Sequence, residues 1–160
     1  MFVTLYRCHS ARPRACRGAS LLEALIALLI FSIGLLGLLG LQANALGASR
    51  DSQYRAEAAV LAHEIIGIMW TDRANLTQYA HNGSGGTACA PSGTATDNVN
   101  ALRWLNQFTT SGNARFLPGA TAAAQQIVVD TDRTVRVTLC WRGPQDAGWH
   151  NYTAVARIPA

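Results

Sequence analysis

Arg17-Gly18-Ala19-Ser20-Leu21-Leu22-Glu23, followed by the apolar run over residues 24–41, is the stretch on which the reading of the whole chain turns. The 18 residues of that run carry no charge, and none appears again until Arg50. About 20 apolar residues suffice for a helix to cross a bilayer's hydrocarbon core, so a membrane span is expected over about residues 20–45. Arg7, Arg12, Arg14 and Arg17 precede it without an acid among them. That asymmetry predicts a cytoplasmic N-terminus and a C-terminal part carried across the membrane.

Two features set this segment apart from an ordinary secretory signal, whose small-residue cleavage site follows its apolar core. Here the small residue, Gly18, precedes the core and directly follows the basic run. Glu23 then places a carboxylate near the start of the span. An acid in lipid costs on the order of 2 to 3 kcal/mol at mid-bilayer, and such a residue marks a partner or a function unless it snorkels to the headgroups.

The junction from Arg17 to Glu23 resembles the class III leader of type IV pilins and type II secretion pseudopilins. The resemblance implies cleavage by prepilin peptidase after Gly18, N-methylation of the new terminus at Ala19, and pairing of Glu23, the fifth mature residue, with a neighbouring subunit's terminal amine. Most pilins begin the mature chain with Phe or Met, and Ala19 departs from that pattern. The resemblance further implies partners: other minor and major pilins through the N-terminal helix, prepilin peptidase, the inner membrane, and a large tip adhesin. The location it implies is a single inner-membrane span with a periplasmic C-terminal domain, and then the pilus at the cell surface.

Removing residues 1–18 changes the charge and the cysteine count together. Four of the 13 basic residues lie in the leader, so the remainder has nine arginines against nine acids. The basic character of the whole chain therefore belongs to targeting and gives no support to nucleic-acid binding. Cys8 and Cys16 leave with the leader. Cys89 and Cys140 remain as an even pair in a part expected to be periplasmic, where disulfides persist, and a bond between them is expected. Two isolated cysteines offer too few ligands for a metal site.

No proline interrupts the chain between Pro13 and Pro91, so one helix is expected over residues 19–70. Its first half, about 20–45, is apolar all round, as a span should be. Gly34, Gly37 and Gly40 leave either a groove for another helix or merely the glycine content common to membrane helices. Over residues 46–70 Tyr54, Ala58, Leu61, Ile65 and Ile68 form one apolar stripe. Asp51 and Arg55 have the spacing of a helix ion pair. His63-Glu64 lacks the second histidine of HExxH, since Gly67 stands in its place.

Residues 71–160 make the expected globular part. A loop rich in turn residues covers about 71–97, and its glycine cluster at 82–86 lacks the GK[ST] ending of a phosphate loop. Thr96 or Asp97 is expected to cap a short helix to about Phe108, with Val99, Leu102, Leu105 and Phe108 on one side. Leu117-Pro118-Gly119 breaks the chain, and strands follow at 126–130, 133–142 and 151–158. Strict alternation in the second strand puts Val135, Val137, Leu139 and Trp141 on one face and Cys140 on the other. The order of Trp104 helix, Leu117-Pro118-Gly119 and a strand bearing Trp141 resembles minor pilins, as does the Ile-Gly-Leu-Leu-Gly-Leu run at 33–38.

The fold expected is α+β and pilin-like: a long N-terminal membrane-spanning helix packed on a small antiparallel sheet. No residue set signals catalysis, a cofactor or a metal ligand cluster. The function expected is that of a minor pilin in pilus assembly. The alternatives are a minor pseudopilin of type II secretion and, from another class, a membrane-anchored periplasmic enzyme or sensor domain.

Overall fold

A computed structural model describes residues 19–159 of the chain. Helix α1, Ala19–Thr71, is followed by a 3-10 segment at Arg73–Tyr79, strands β1 (Gly85–Thr87) and β2 (Ala90–Ser92), helix α2 (Val99–Thr109), a 3-10 turn at Ala122–Ala124, and strands β3 (Gln126–Val129), β4 (Thr134–Trp141) and β5 (His150–Arg157). The chain divides into one unit ending at Gly47 and a second beginning at Ala48. In the first unit α1 runs without a break through Gly34, Gly37 and Gly40.

The second unit is an α+β core. From Ala48 onward α1 buries Ala58, Leu61, Ala62, Ile65, Ile66 and Met69, with Tyr54 and Ile68 half-buried at the margin. The stripe is thus wider than the spacing of four and three alone predicts, because Ala62, Ile66 and Met69 flank it on a helix covered from two sides. One cover is α2, whose buried residues are Ala101, Trp104, Leu105 and Phe108. The other is the antiparallel sheet β3-β4-β5. Ile127 opposes Val137, and Val137 opposes Ala154, so one apolar face runs across all three strands.

Two sequence expectations for α2 are corrected. The cap is Asn98, whose side chain accepts hydrogen bonds from the backbone N–H groups of Asn100 and Ala101; Thr96 instead donates its hydroxyl to the Gln78 carbonyl. Val99 and Leu102 point to solvent. An every-third-residue pattern drifts around a helix of 3.6 residues per turn, and the observed i, i+3, i+4, i+7 set from Ala101 keeps one face.

The glycine-rich loop has structure of its own. β1 and β2 pair as a two-residue hairpin with Thr87 opposite Ala90. Gly86 has φ +87°, and a Cβ there would stand 2.5 Å from the Ala90 carbonyl oxygen, so only glycine fits. His81 holds the loop's start. It bridges to Ile127, its ring Nε2 lies 2.8 Å from the Ala122 carbonyl, and its Nδ1 accepts from the Thr96 N–H. At the other end of the sheet, the Arg142 N–H donates to the Pro118 carbonyl, which places the breaker beside β4. Gln125 is fully buried. Its side-chain amide accepts from the Cys140 N–H at 2.8 Å and donates to the Cys140 carbonyl at 3.1 Å.

Candidate functional site

The expected site residues fall in different parts of the chain. Gly18, the expected cleavage position, and the leader with Cys8 and Cys16 lie outside the described residues. Ala19 opens α1. Glu23 lies one turn later and is exposed, as is every residue from Leu21 to Gln53. Ile26 and Ala27, three and four residues on, provide no cation on its own helix. Leu25, Leu28, Leu29, Ile30, Phe31 and Ile33 are all at least 60% exposed, an apolar surface far larger than a protein in water leaves open. Helix α1 is long and apolar enough to cross a membrane, which fits a membrane-anchored protein.

Cys89 and Cys140 are joined by a disulfide, with Cα atoms 5.4 Å apart. Cys140 sits on the sheet face opposite Val137 and Leu139, yet it is fully buried. The β1–β2 hairpin and the 122–124 turn cover that outer face, so both faces of the sheet are screened at this point. Cys89 occupies the second turn position of the hairpin with φ +68°. A side chain there costs about 1 to 2 kcal/mol relative to ordinary backbone, a position glycine usually fills.

Arg115, which no sequence pattern singled out, bridges two acids on α1. Its Nε donates to Glu57 Oε1 at 2.6 Å, its Nη1 contacts Glu64 Oε2, and Glu64 also accepts from Gln107. The hydrogen bond to Glu57 is the main cause that raises its pKa above the usual arginine value, with Glu64 adding to it against burial. Whatever the raised pKa contributes to stability is therefore present at neutral pH, below the arginine range, and is lost as pH rises through it. All three side chains are about one-third exposed, so screening by solvent keeps the contribution small. Arg115→Met should lower stability by about 1 kcal/mol at low salt and by less at high salt. Chemical denaturation at two ionic strengths checks this, and an effect that ignores salt would contradict it. The expected Asp51–Arg55 ion pair does not form among the described residues.

Asp51 belongs instead to a cluster that the sequence did not reveal. Its carboxylate, that of Asp146 and the imidazole of His150 offer ligand atoms all within 4.8 Å of one another. The three come from α1, the β4–β5 connection and the start of β5, parts that no sequence pattern brings together. Asp146 Oδ2 accepts from the Gly143 N–H at 2.7 Å and lies 3.1 Å from His150 Nε2. The His150 ring stacks on Trp141 with centroids 5.9 Å apart. Asp51, Ser52, Arg55, Trp141, Trp149 and His150 line a cleft at this point.

Comparison with known proteins matches residues 13–39 to the prokaryotic N-terminal methylation motif. The matched stretch spans the Gly18–Ala19 junction, Glu23 and the first part of α1. It supports a type IV pilin-like protein of a pilus or pseudopilus, a structural class, and implies processing by prepilin peptidase and assembly with other pilins. No curated protein and no solved structure matches the chain significantly.

Proposed function

We propose that the chain is a minor pilin of the PilV type, which takes part in assembly and priming of a type IV pilus at or near its tip. The observation that carries this reading is the methylation motif over residues 13–39 leading into a helix whose apolar residues are exposed all round in its first part, residues 21–53. On this reading residues 1–18 are a leader cut after Gly18, Ala19 is the methylated terminus, and about residues 20–45 span the inner membrane. The part from residue 71 is periplasmic until the subunit enters the pilus. The order of the Trp104 helix, the Leu117-Pro118-Gly119 break and the Trp141 strand supports the PilV type over a general pilin. A minor pseudopilin of type II secretion shares the motif and the helix, and neighbouring genes separate the two.

Glu23 gives the test. Its carboxylate has no cation at i+3 or i+4, and the terminal amine freed on an adjoining pilin is the cation that assembly supplies. Such a pair attracts far more strongly in a low dielectric than at a surface, and removing one member leaves a costly unpaired charge. Glu23→Ala should therefore still insert, since the helix becomes more apolar, and should still be cleaved, as the mass of the mature protein reads directly. It should fail to co-purify with partner pilins and fail to restore piliation in a deletion strain. Normal pilus numbers with the variant incorporated would end the pairing role.

A further inference from the structure

We propose that Asp51, Asp146 and His150 form a binding site for a divalent transition-metal ion, with Zn2+ the best fit. The donor set is one imidazole nitrogen and two carboxylate oxygens. Imidazole selects Zn2+ and its neighbours over Ca2+ and Mg2+, and three protein ligands with an open fourth position form a recurring zinc geometry.

The distances permit it. Zinc bonds of about 2.0 to 2.2 Å in a tetrahedron put ligand atoms roughly 3.3 to 3.6 Å apart. Asp146 Oδ2 and His150 Nε2 already stand 3.1 Å apart, and all three groups lie within 4.8 Å. Closure needs a movement of about 1 Å by the exposed Asp51 side chain, well within rotamer freedom. The ligands are also held from behind. The Gly143 N–H fixes one oxygen of Asp146, and the indole of Trp141 fixes the plane of the His150 ring. Such outer contacts orient ligands and raise metal affinity.

An independent observation at the same cleft points to a ligand. Trp141 is 2% exposed, and its indole N–H has no hydrogen-bond partner among the described residues. An indole N–H is a donor only, and leaving one buried and unpaired is unfavourable. Trp141 lines the same cleft as Asp51 and His150, and a ligand or water bound there would offer an acceptor. The Arg55 cation also lines the cleft, so two carboxylates face one arginine, and a divalent ion leaves the cluster cationic. The imidazole nitrogen is the contact that favours Zn2+, so the site should discriminate against Ca2+. When filled, it ties α1 at Asp51 to the β4–β5 connection.

The test is isothermal titration of ZnCl2 into the full chain in detergent micelles. Cys8→Ser, His9→Gln and Cys16→Ser are built into the background so that these groups do not compete. One Zn2+ per chain is expected, with no comparable binding of CaCl2. Asp51→Asn and His150→Gln should each weaken zinc binding by at least about tenfold with unchanged circular dichroism, since both side chains are at the surface. Absence of zinc binding in the background chain, or binding that survives either substitution undiminished, would overturn the assignment.

Discussion

Trp104→Ala should destabilise the unit that begins at Ala48 by about 4 kcal/mol, a large share of the roughly 5 to 15 kcal/mol that holds a typical domain folded. Trp104 is 1% exposed at the meeting of α1 and α2. Its indole N–H donates to the Leu61 carbonyl at 2.9 Å, and its ring meets Phe108 edge-on with centroids 5.0 Å apart. Truncation removes both contacts and leaves a cavity between helices that are fixed elsewhere by the sheet. Trp104→Phe separates the two contributions: it keeps most of the ring and loses the hydrogen bond, and should cost about 1 to 2 kcal/mol. Urea denaturation of the full chain in mild detergent, followed by near-ultraviolet circular dichroism, reads both. A Trp104→Ala chain with an unshifted midpoint would mean that α2 is not part of the cooperative core.

Breaking the disulfide should have a similar effect by a different route. Cys89 and Cys140 are 51 residues apart in sequence, and closing a loop of that length removes about 4 kcal/mol of unfolded-chain entropy, often less in practice. Cys89→Ser and Cys140→Ser should destabilise the unit to similar extents, and the double variant hardly further, because each removes the same bond. The β1–β2 hairpin should lose hydrogen-exchange protection before the sheet does. Reaction of both cysteines with a thiol reagent in the native protein, isolated without reductant, would refute the bond.

How much of this was legible in the sequence depended on how local each feature is. The membrane-type helix, its exposed acid and the α+β class follow from runs and periods that need no partner to be recognised. The alternation of β4 was visible because its two faces differ chemically, and Cys140 was correctly placed opposite Val137. That Cys140 is nonetheless buried depends on a hairpin folded over it from 50 residues away, which no local period reports. The cap at Asn98 was missed because Thr96, Asp97 and Asn98 all have capping side chains, and only the backbone decides among them. Arg115 stands in a polar stretch with no pattern, and its two acids lie 51 and 58 residues upstream. Asp51, Asp146 and His150 likewise come together only once α1 and the β4–β5 connection are packed. The sequence held one further clue there: Asp146 and His150 at a spacing of four, in the short stretch that follows Trp141 and includes Trp149.

The pairing of Gln125 with Cys140 bears on how this small sheet avoids sticking to others. β3 has four residues and β4 has eight, so β4 outruns its neighbour and would expose backbone donors and acceptors along that margin. Open margins of this kind recruit strands from other chains. Here a single amide side chain imitates a strand residue by meeting both backbone groups of Cys140, and the Pro118 carbonyl takes the Arg142 N–H beyond it. The margin is thereby sealed by two loop residues rather than by a longer strand. Strand-to-strand association along the part of β4 that extends beyond β3 is thereby blocked.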